Sequence, residues 1–234
     1  MAIIAIYAII QGATEYQILV VALMSLAAYE LSTFAKSPKA SLVIIPLSVL
    51  LLILYPSTLI LFYLIPVISL FLFRLNKYEN SFYLVILLMC SIYLLGIRDT
   101  GKFYISWICI TAILTDTGGF FFGKLIGGRK LLEKISPNKT WSGAFGGWFL
   151  ALLGSLLLFS NFYTSEMTYV EILTITFFMS ISSQIGDMFE SYLKRQANIK
   201  DSSNLIPGHG GVLDRLDSII GASLFFMLYQ SYLT

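Results

Sequence analysis

The sequence predicts an all-α fold, a polytopic transmembrane helical bundle of about nine spans, read as one integral membrane domain over residues 1–234. Three observations predict it. Hydrophobic residues make up 57% of the chain and charged ones 12%, against roughly 25% charged in an ordinary soluble domain. A soluble core of 234 residues cannot hide that much apolar side chain, so the excess faces lipid. The apolar residues also come in runs near the ~20 residues that a spanning helix needs. Finally, the basic residues sort onto alternate loops, as they do around membrane spans.

In chain order the runs fall near 1–11, 16–34, 41–55, 57–73, 81–97, 103–123, 141–160, 167–190 and 214–234. The first is short enough for a half-span, which leaves eight as the alternative count. The first basic residue is Lys36, whereas a cleavable signal would open on a positive segment. Met1–Ile10 is therefore read as part of the membrane domain. Pro46, Pro56 and Pro66 mark kinks or ends in the third and fourth runs, since proline removes a backbone donor.

With nine spans and a cytoplasmic N-terminus, one side collects Lys36, Lys39, Arg74, Lys77, Lys124, Arg129, Lys130, Lys134, Lys139, Lys194, Arg195, Lys200 and Arg215. The other side receives Arg98 and Lys102. Short loops and this partition point to a bacterial inner membrane. Two loops on the basic side, 124–140 and 191–213, are longer than the rest and rich in glycine, proline and asparagine. Structured loops on one face of a bundle are where chemistry usually sits. No internal repeat is visible. A net charge of +2, with no basic stripe, argues against a nucleic-acid partner. Cys90 and Cys109 each lie in an apolar run without a nearby second cysteine, and read as small buried hydrophobes.

The segment 183–217 carries the densest polar pattern. Ser183, Asp187 and Ser191 recur every fourth residue, so a helix gathers them on one face, with Lys194 following a turn later. Asp214 and Asp217 share a face at the start of the last span. Two helices thus bring carboxylates towards a basic, glycine-rich loop. Mg²⁺ takes oxygen ligands, often one or two carboxylates completed by phosphates and water. Arg, Lys and glycine-rich backbone suit phosphate oxygens. A Mg²⁺-nucleotide site is one reading. The other is local: Asp187 and Glu190 pairing with Lys194 and Arg195, and Asp214 with Asp217 complementing a helix dipole.

Asp116 lies deep in the sixth run, where an aspartate costs about 2.5–3.5 kcal/mol on insertion scales. It requires a metal, a wet cavity or a hydrogen bond from a neighbouring helix. Gly119, Gly123 and Gly127, and Gly143 with Gly147, form small-residue ladders that read as close helix packing, within one bundle or between two. Glu30, at the end of the second run, carries no assignment.

The string Ser191-x-Leu193-Lys194-Arg195-x4-Lys200-Asp201-x-Ser203-x2-Ile206-Pro207-x-His209-Gly210-Gly211-Val212-x-Asp214-Arg215-Leu216-Asp217 resembles the signature of the phosphatidate cytidylyltransferases, the CDP-diacylglycerol synthases. A second block is similar: Asp116-Thr117-Gly118-Gly119-Phe120, then Ser136-Pro137-Asn138-Lys139-Thr140-Trp141-Ser142-Gly143. Here Ser142 stands where the family commonly has Glu, Asn138 where it has Lys, and Gly119-Phe120 where it has Ala-Tyr. The resemblance covers about 96–221; residues before it match in hydropathy alone.

The resemblance implies CTP and phosphatidic acid as substrates, Mg²⁺ with room for a second cation, and a tilt towards a homodimer. On this reading Asp187, Asp214, Lys194 and Arg215 are catalytic. Asp187 and Asp214 hold the metal, with Asp217 a weaker ligand. Lys194, Arg195, Lys200 and Arg215 hold the triphosphate, while Ser136, Asn138 and Lys139 approach from the facing loop. Ser183, Ser191, Asp201, His209, Gly210, Gly211 and Asp116 complete the substrate site. The nucleophile is a phosphate already ionised, so His209 need not be a base; it donates to phosphate or orders the loop. Two rivals are a CTP-dependent lipid-alcohol kinase, which would benefit from a base, and a cation transporter, which would show repeated broken helices.

Overall fold

The structure, a computed structural model, describes residues 13–35, 78–100, 102–162, 167–206, 208 and 210–233. Along these residues run α1 (Ala13–Phe34), α2 (Tyr78–Thr100), α3 (Lys102–Ile126), β1 (Lys130–Leu132), β2 (Ser136–Thr140), α4 (Trp141–Phe162), α5 (Tyr169–Gln196) and α6 (Leu213–Leu233). Each helix falls on an expected run, and α1 to α5 are long and apolar enough to cross a membrane. The chain is a helical membrane protein. The expected runs 1–11, 41–55 and 57–73 lie outside the described residues, with Pro46, Pro56, Pro66, Lys36, Lys39, Arg74, Lys77 and His209.

Two expected loops contain regular structure. Residues 130–140 form an antiparallel hairpin in which Lys130 faces Thr140 and Leu132 faces Ser136. Thr140 then opens α4: its hydroxyl accepts the Gly143 N–H at 3.1 Å, satisfying a first-turn donor. Helix α5 likewise runs past the expected end at residue 190. It starts at a capping box, with Thr168 N–H donating to Glu171 at 2.7 Å and Glu171 N–H to Thr168 Oγ1 at 3.3 Å. It stops where Asn198 takes φ 59°, and Ile199 and Asn198 N–H return to the carbonyls of Lys194 and Arg195, a left-handed cap. Lys194 and Arg195 in the last turn suit the negative end of the helix dipole.

The chain divides into two compact units. The first contains residues 1–102 and 193–216. In it α1 packs on α2, and Met24, Ala27, Ala28 and Leu31 of α1 and Leu84, Leu87, Leu88 and Ser91 of α2 are all at most 2% exposed. Tyr16 donates to the Leu94 carbonyl at 2.9 Å.

The second unit contains 103–192 and 217–234. Here α3 and α4 approach until backbones touch. A Cβ added at Gly118 would lie 2.5 Å from the Gly146 carbonyl oxygen, and one at Gly147 2.6 Å from that of Thr115. Gly119, Gly123, Gly143 and Gly147 therefore serve contacts inside the chain, whereas a Cβ at Gly127 would meet nothing within 4 Å, and that residue instead follows the end of α3 at φ 64°. Polar bonds join the other helices: Trp107 donates to Thr176 at 3.0 Å, Trp148 to Gln184 at 3.1 Å, and Ser182 to the Gly221 carbonyl at 2.7 Å.

Candidate active site

In the first unit the signature loop is built around Glu30. This residue lies near the C-terminal end of α1 and is 1% exposed, so its carboxylate demands donors. It finds four. Oε1 accepts the Ser203 hydroxyl at 2.6 Å and the Val212 N–H at 2.9 Å. Oε2 accepts the Ser202 hydroxyl and the Leu213 N–H, both at 2.8 Å. Val212 and Leu213 open α6, so Glu30 answers two backbone donors that a helix start leaves free.

Asp214 forms a second knot beside it. Its Oδ1 pairs with Lys194 Nζ at 2.5 Å, both side chains being about a tenth exposed. Oδ2 accepts Ser202 N–H at 2.9 Å and Gly211 N–H at 2.8 Å, and shares with Glu30 the single proton of the Ser202 hydroxyl, 3.0 Å away. Gly211 has no room for a side chain: a Cβ would lie 2.0 Å from Ser202 Oγ and 2.5 Å from Glu30 Oε2. Gly208 and Gly210 take φ 75° and 83°, in the left-handed region that favours glycine. The Ile206 N–H closes this turn on the Gly210 carbonyl at 2.9 Å. Arg195, Lys200, Asp201 and Arg215 are exposed, and Arg195 also donates to the Ile199 carbonyl at 2.9 Å.

In the second unit, carboxylates crowd one another. Asp217, 7% exposed, feels the charges of Asp187, Glu190 and Asp116 and accepts the Ser218 N–H at 2.7 Å. Asp116 accepts the Ser218 hydroxyl at 2.9 Å, so its neighbour helix does supply a hydrogen bond. Asp187 forms an ion pair with Lys139 from the hairpin, and Ser191 reaches it at 3.4 Å. The hairpin turns a stretch expected as loop into a rigid arm that carries Ser136, Asn138 and Lys139. Ser183 is fully buried, and its hydroxyl has no hydrogen-bond partner among the described residues.

A sequence model of the cytidylyltransferase family matches residues 1–233. The chain belongs to the cytidylyltransferase family. The match reaches beyond the 96–221 over which the motifs speak. A phosphatidate cytidylyltransferase of Bacillus subtilis (strain 168) is 42% identical over 145 residues, 60% of this chain and 54% of that protein. One from Brucella suis biovar 1 (strain 1330) is 47% identical over 115 residues, 49% of this chain and 42% of that protein. One from Staphylococcus aureus (strain COL) is 42% identical over 123 residues, 53% of this chain and 47% of that protein. The chain spans about half the length of the curated relatives it matches.

Within this family member, the structure explains one departure from the common motif. Ser142 donates to the Gly127 carbonyl and lies 3.0 Å from Thr140 Oγ1, so it helps fasten the end of α3 to the start of α4. Among the described residues no group of three or more His, Cys, Asp or Glu is arranged to hold a metal ion. Mg²⁺ asks for less, since phosphates and water complete its shell. Asp187, already facing a cation at Lys139, fits that demand. Both oxygens of Asp214 are engaged, so a metal there has to take the position of Lys194. Glu30 is the residue that sequence reasoning left unassigned. Its one signal was a carboxylate at the end of an apolar run, where charge is costly.

Proposed function

We propose that this protein transfers the cytidylyl group of CTP to phosphatidic acid, forming CDP-diacylglycerol and releasing pyrophosphate. The observation that carries this reading is the match at 42–47% identity, over 115 to 145 residues, to proteins named phosphatidate cytidylyltransferase. The protein is read as a nine-span enzyme of a bacterial inner membrane, with its loops and active site on the cytoplasmic side. A length argument supports a boundary site. Helix α5 has 28 residues, about 42 Å at ~1.5 Å per residue, against roughly 30 Å of hydrocarbon. A surplus of about 12 Å, roughly eight residues at ~1.5 Å each, taken at the C-terminal end holds Ser191, Lys194 and Arg195 and leaves Asp187 just inside the boundary.

In the reaction an oxygen of the phosphatidate phosphate attacks the α-phosphorus of CTP. The bond from that phosphorus to the bridging oxygen breaks, and pyrophosphate leaves with the electron pair. No proton has to be removed, so positioning and charge neutralisation do the work. Asp187 and Asp214 are assigned to Mg²⁺, with Asp217 as a weaker ligand; the ion, when bound, neutralises charge on the phosphates. Lys194, Arg195, Lys200 and Arg215 are assigned to the triphosphate. Release of Lys139 from Asp187 or of Lys194 from Asp214 frees a cation for phosphate. The buried hydroxyl of Ser183 is a donor reserved for substrate or water.

The test uses purified protein in detergent with phosphatidic acid, Mg²⁺ and CTP labelled on the α-phosphate. Label in the lipid fraction together with released pyrophosphate is the expected result. CDP released when lipid alcohols are supplied would replace the reading with a kinase. Untouched CTP accompanied by ion flux in proteoliposomes would replace it with a transporter.

A further inference from the structure

We infer that Glu30 is a positioning residue for nucleotide binding, the buried peg on which the signature loop is hung. The inference rests on the reading of that loop as the triphosphate-binding segment. Glu30 comes from α1, far from the signature in sequence, yet it receives hydrogen bonds from Ser202, Ser203, Val212 and Leu213. These four donors bracket the turn at Ile206–Gly210 on both sides. The Ser202 hydroxyl also touches Asp214 Oδ2 at 3.0 Å, so the peg is joined directly to the knot that holds Lys194. Gly211 is packed so closely that a methyl group there would displace Glu30 or Ser202.

The arrangement decides how the loop can bind phosphate. The N–H groups at a helix start are a ready anion site, but those of Val212 and Leu213 are already occupied by the protein's own carboxylate. Phosphate recognition then falls to side chains, and of the four assigned cations Lys200 and Arg215 are exposed and stand two residues from positions that Glu30 holds. Glu30 touches neither substrate nor metal; it sets where those cations stand.

Glutamine is the sharp substitution. Oε1 takes one hydroxyl and one N–H, and Oε2 takes the same pair. Whichever way an amide is turned, its NH₂ meets a main-chain N–H, and two donors face each other. In the full-length protein, Glu30→Gln is expected to raise KM for CTP roughly tenfold or more. KM for phosphatidic acid should stay within about twofold, because the peg acts on the loop that binds nucleotide. Hydrogen exchange over residues 200–213 should accelerate while α3 to α5 keep their protection. Glu30→Asp, which keeps both acceptors but shortens the reach, should fall between. Ser203→Ala removes one of the four bonds and should move both readouts the same way by less. It carries the test if Glu30→Gln cannot be recovered from membranes.

Parental KM for CTP together with parental exchange in Glu30→Gln would overturn the inference. So would a fall in kcat alone with both KM values unmoved. If the parent protein transfers no label from CTP, the proposed function fails, and the exchange measurement by itself decides whether Glu30 positions the loop.

Discussion

Asp214 and Asp217 are three residues apart in one motif, yet their surroundings are opposite. Around Glu30 and Asp214, donors outnumber carboxylates: each side chain accepts several hydrogen bonds, and Lys194 adds a buried positive charge. Around Asp217, carboxylates face carboxylates, with Asp116, Asp187 and Glu190 all within electrostatic reach. The first region is internally satisfied and holds a loop in shape. The second gathers carboxylates with Lys139 beside them, a crowding that costs free energy unless protons or cations neutralise it. An identical residue type three positions on thus meets hydrogen-bond donors in one region and other carboxylates in the other.

The comparison can be broken most directly at Asp214. Asp214→Asn breaks the buried ion pair with Lys194, a loss of about 3–5 kcal/mol. We expect a lowered melting temperature in detergent and loss of cytidylyl transfer together. Full stability in this variant would mean that the knot is not structural. Asp187→Asn should separate the two effects. Transfer should fall by roughly 100-fold or more, the scale of losing a charge-stabilising group at a reaction centre. Stability should stay within about 1 kcal/mol, since the Lys139 pair is a quarter exposed. Retained turnover at limiting Mg²⁺ would remove Asp187 from the metal assignment.

A third change leaves both regions intact and tests the scaffold beneath the acidic one. Gly147→Ala puts a methyl carbon 2.6 Å from the Thr115 carbonyl oxygen, and overpacking of this kind costs about 1–3 kcal/mol. Melting should fall while KM for CTP barely changes. The smallest expected effect belongs to Lys139→Met. Removing the cation that faces Asp187 should raise affinity for Mn²⁺ used as a magnesium probe by roughly twofold to fivefold, as a partly exposed pair of about 1 kcal/mol allows. Calorimetry without nucleotide reads this directly. Weaker Mn²⁺ binding would show that Lys139 supports the site rather than competing for it.

The sequence alone determined the membrane-bundle class, the position of each described helix to within a few residues, and the segment that carries the family motif. Apolar run length and the alternation of basic loops are local properties, and a bilayer converts them into helices because backbone groups in lipid must bond within their own segment. The glycine ladders, Gly127 aside, were legible as packing surfaces in the same way. The hairpin at 130–140 was not, because its pairing depends on register between two strands of three and five residues, too short to show an alternating pattern. The extension of α5 to Gln196 was hidden by its charge, which reads as loop until Asn198 is seen to cap it. Only the tertiary structure decided that Glu30 belongs to the signature, that Gly211 faces a carboxylate, and that Asp214 and Asp217 live in different surroundings. Those facts rest on contacts between residues distant in the chain, Glu30 and Leu213 among them, and no local spacing encodes which buried carboxylate will meet which donor.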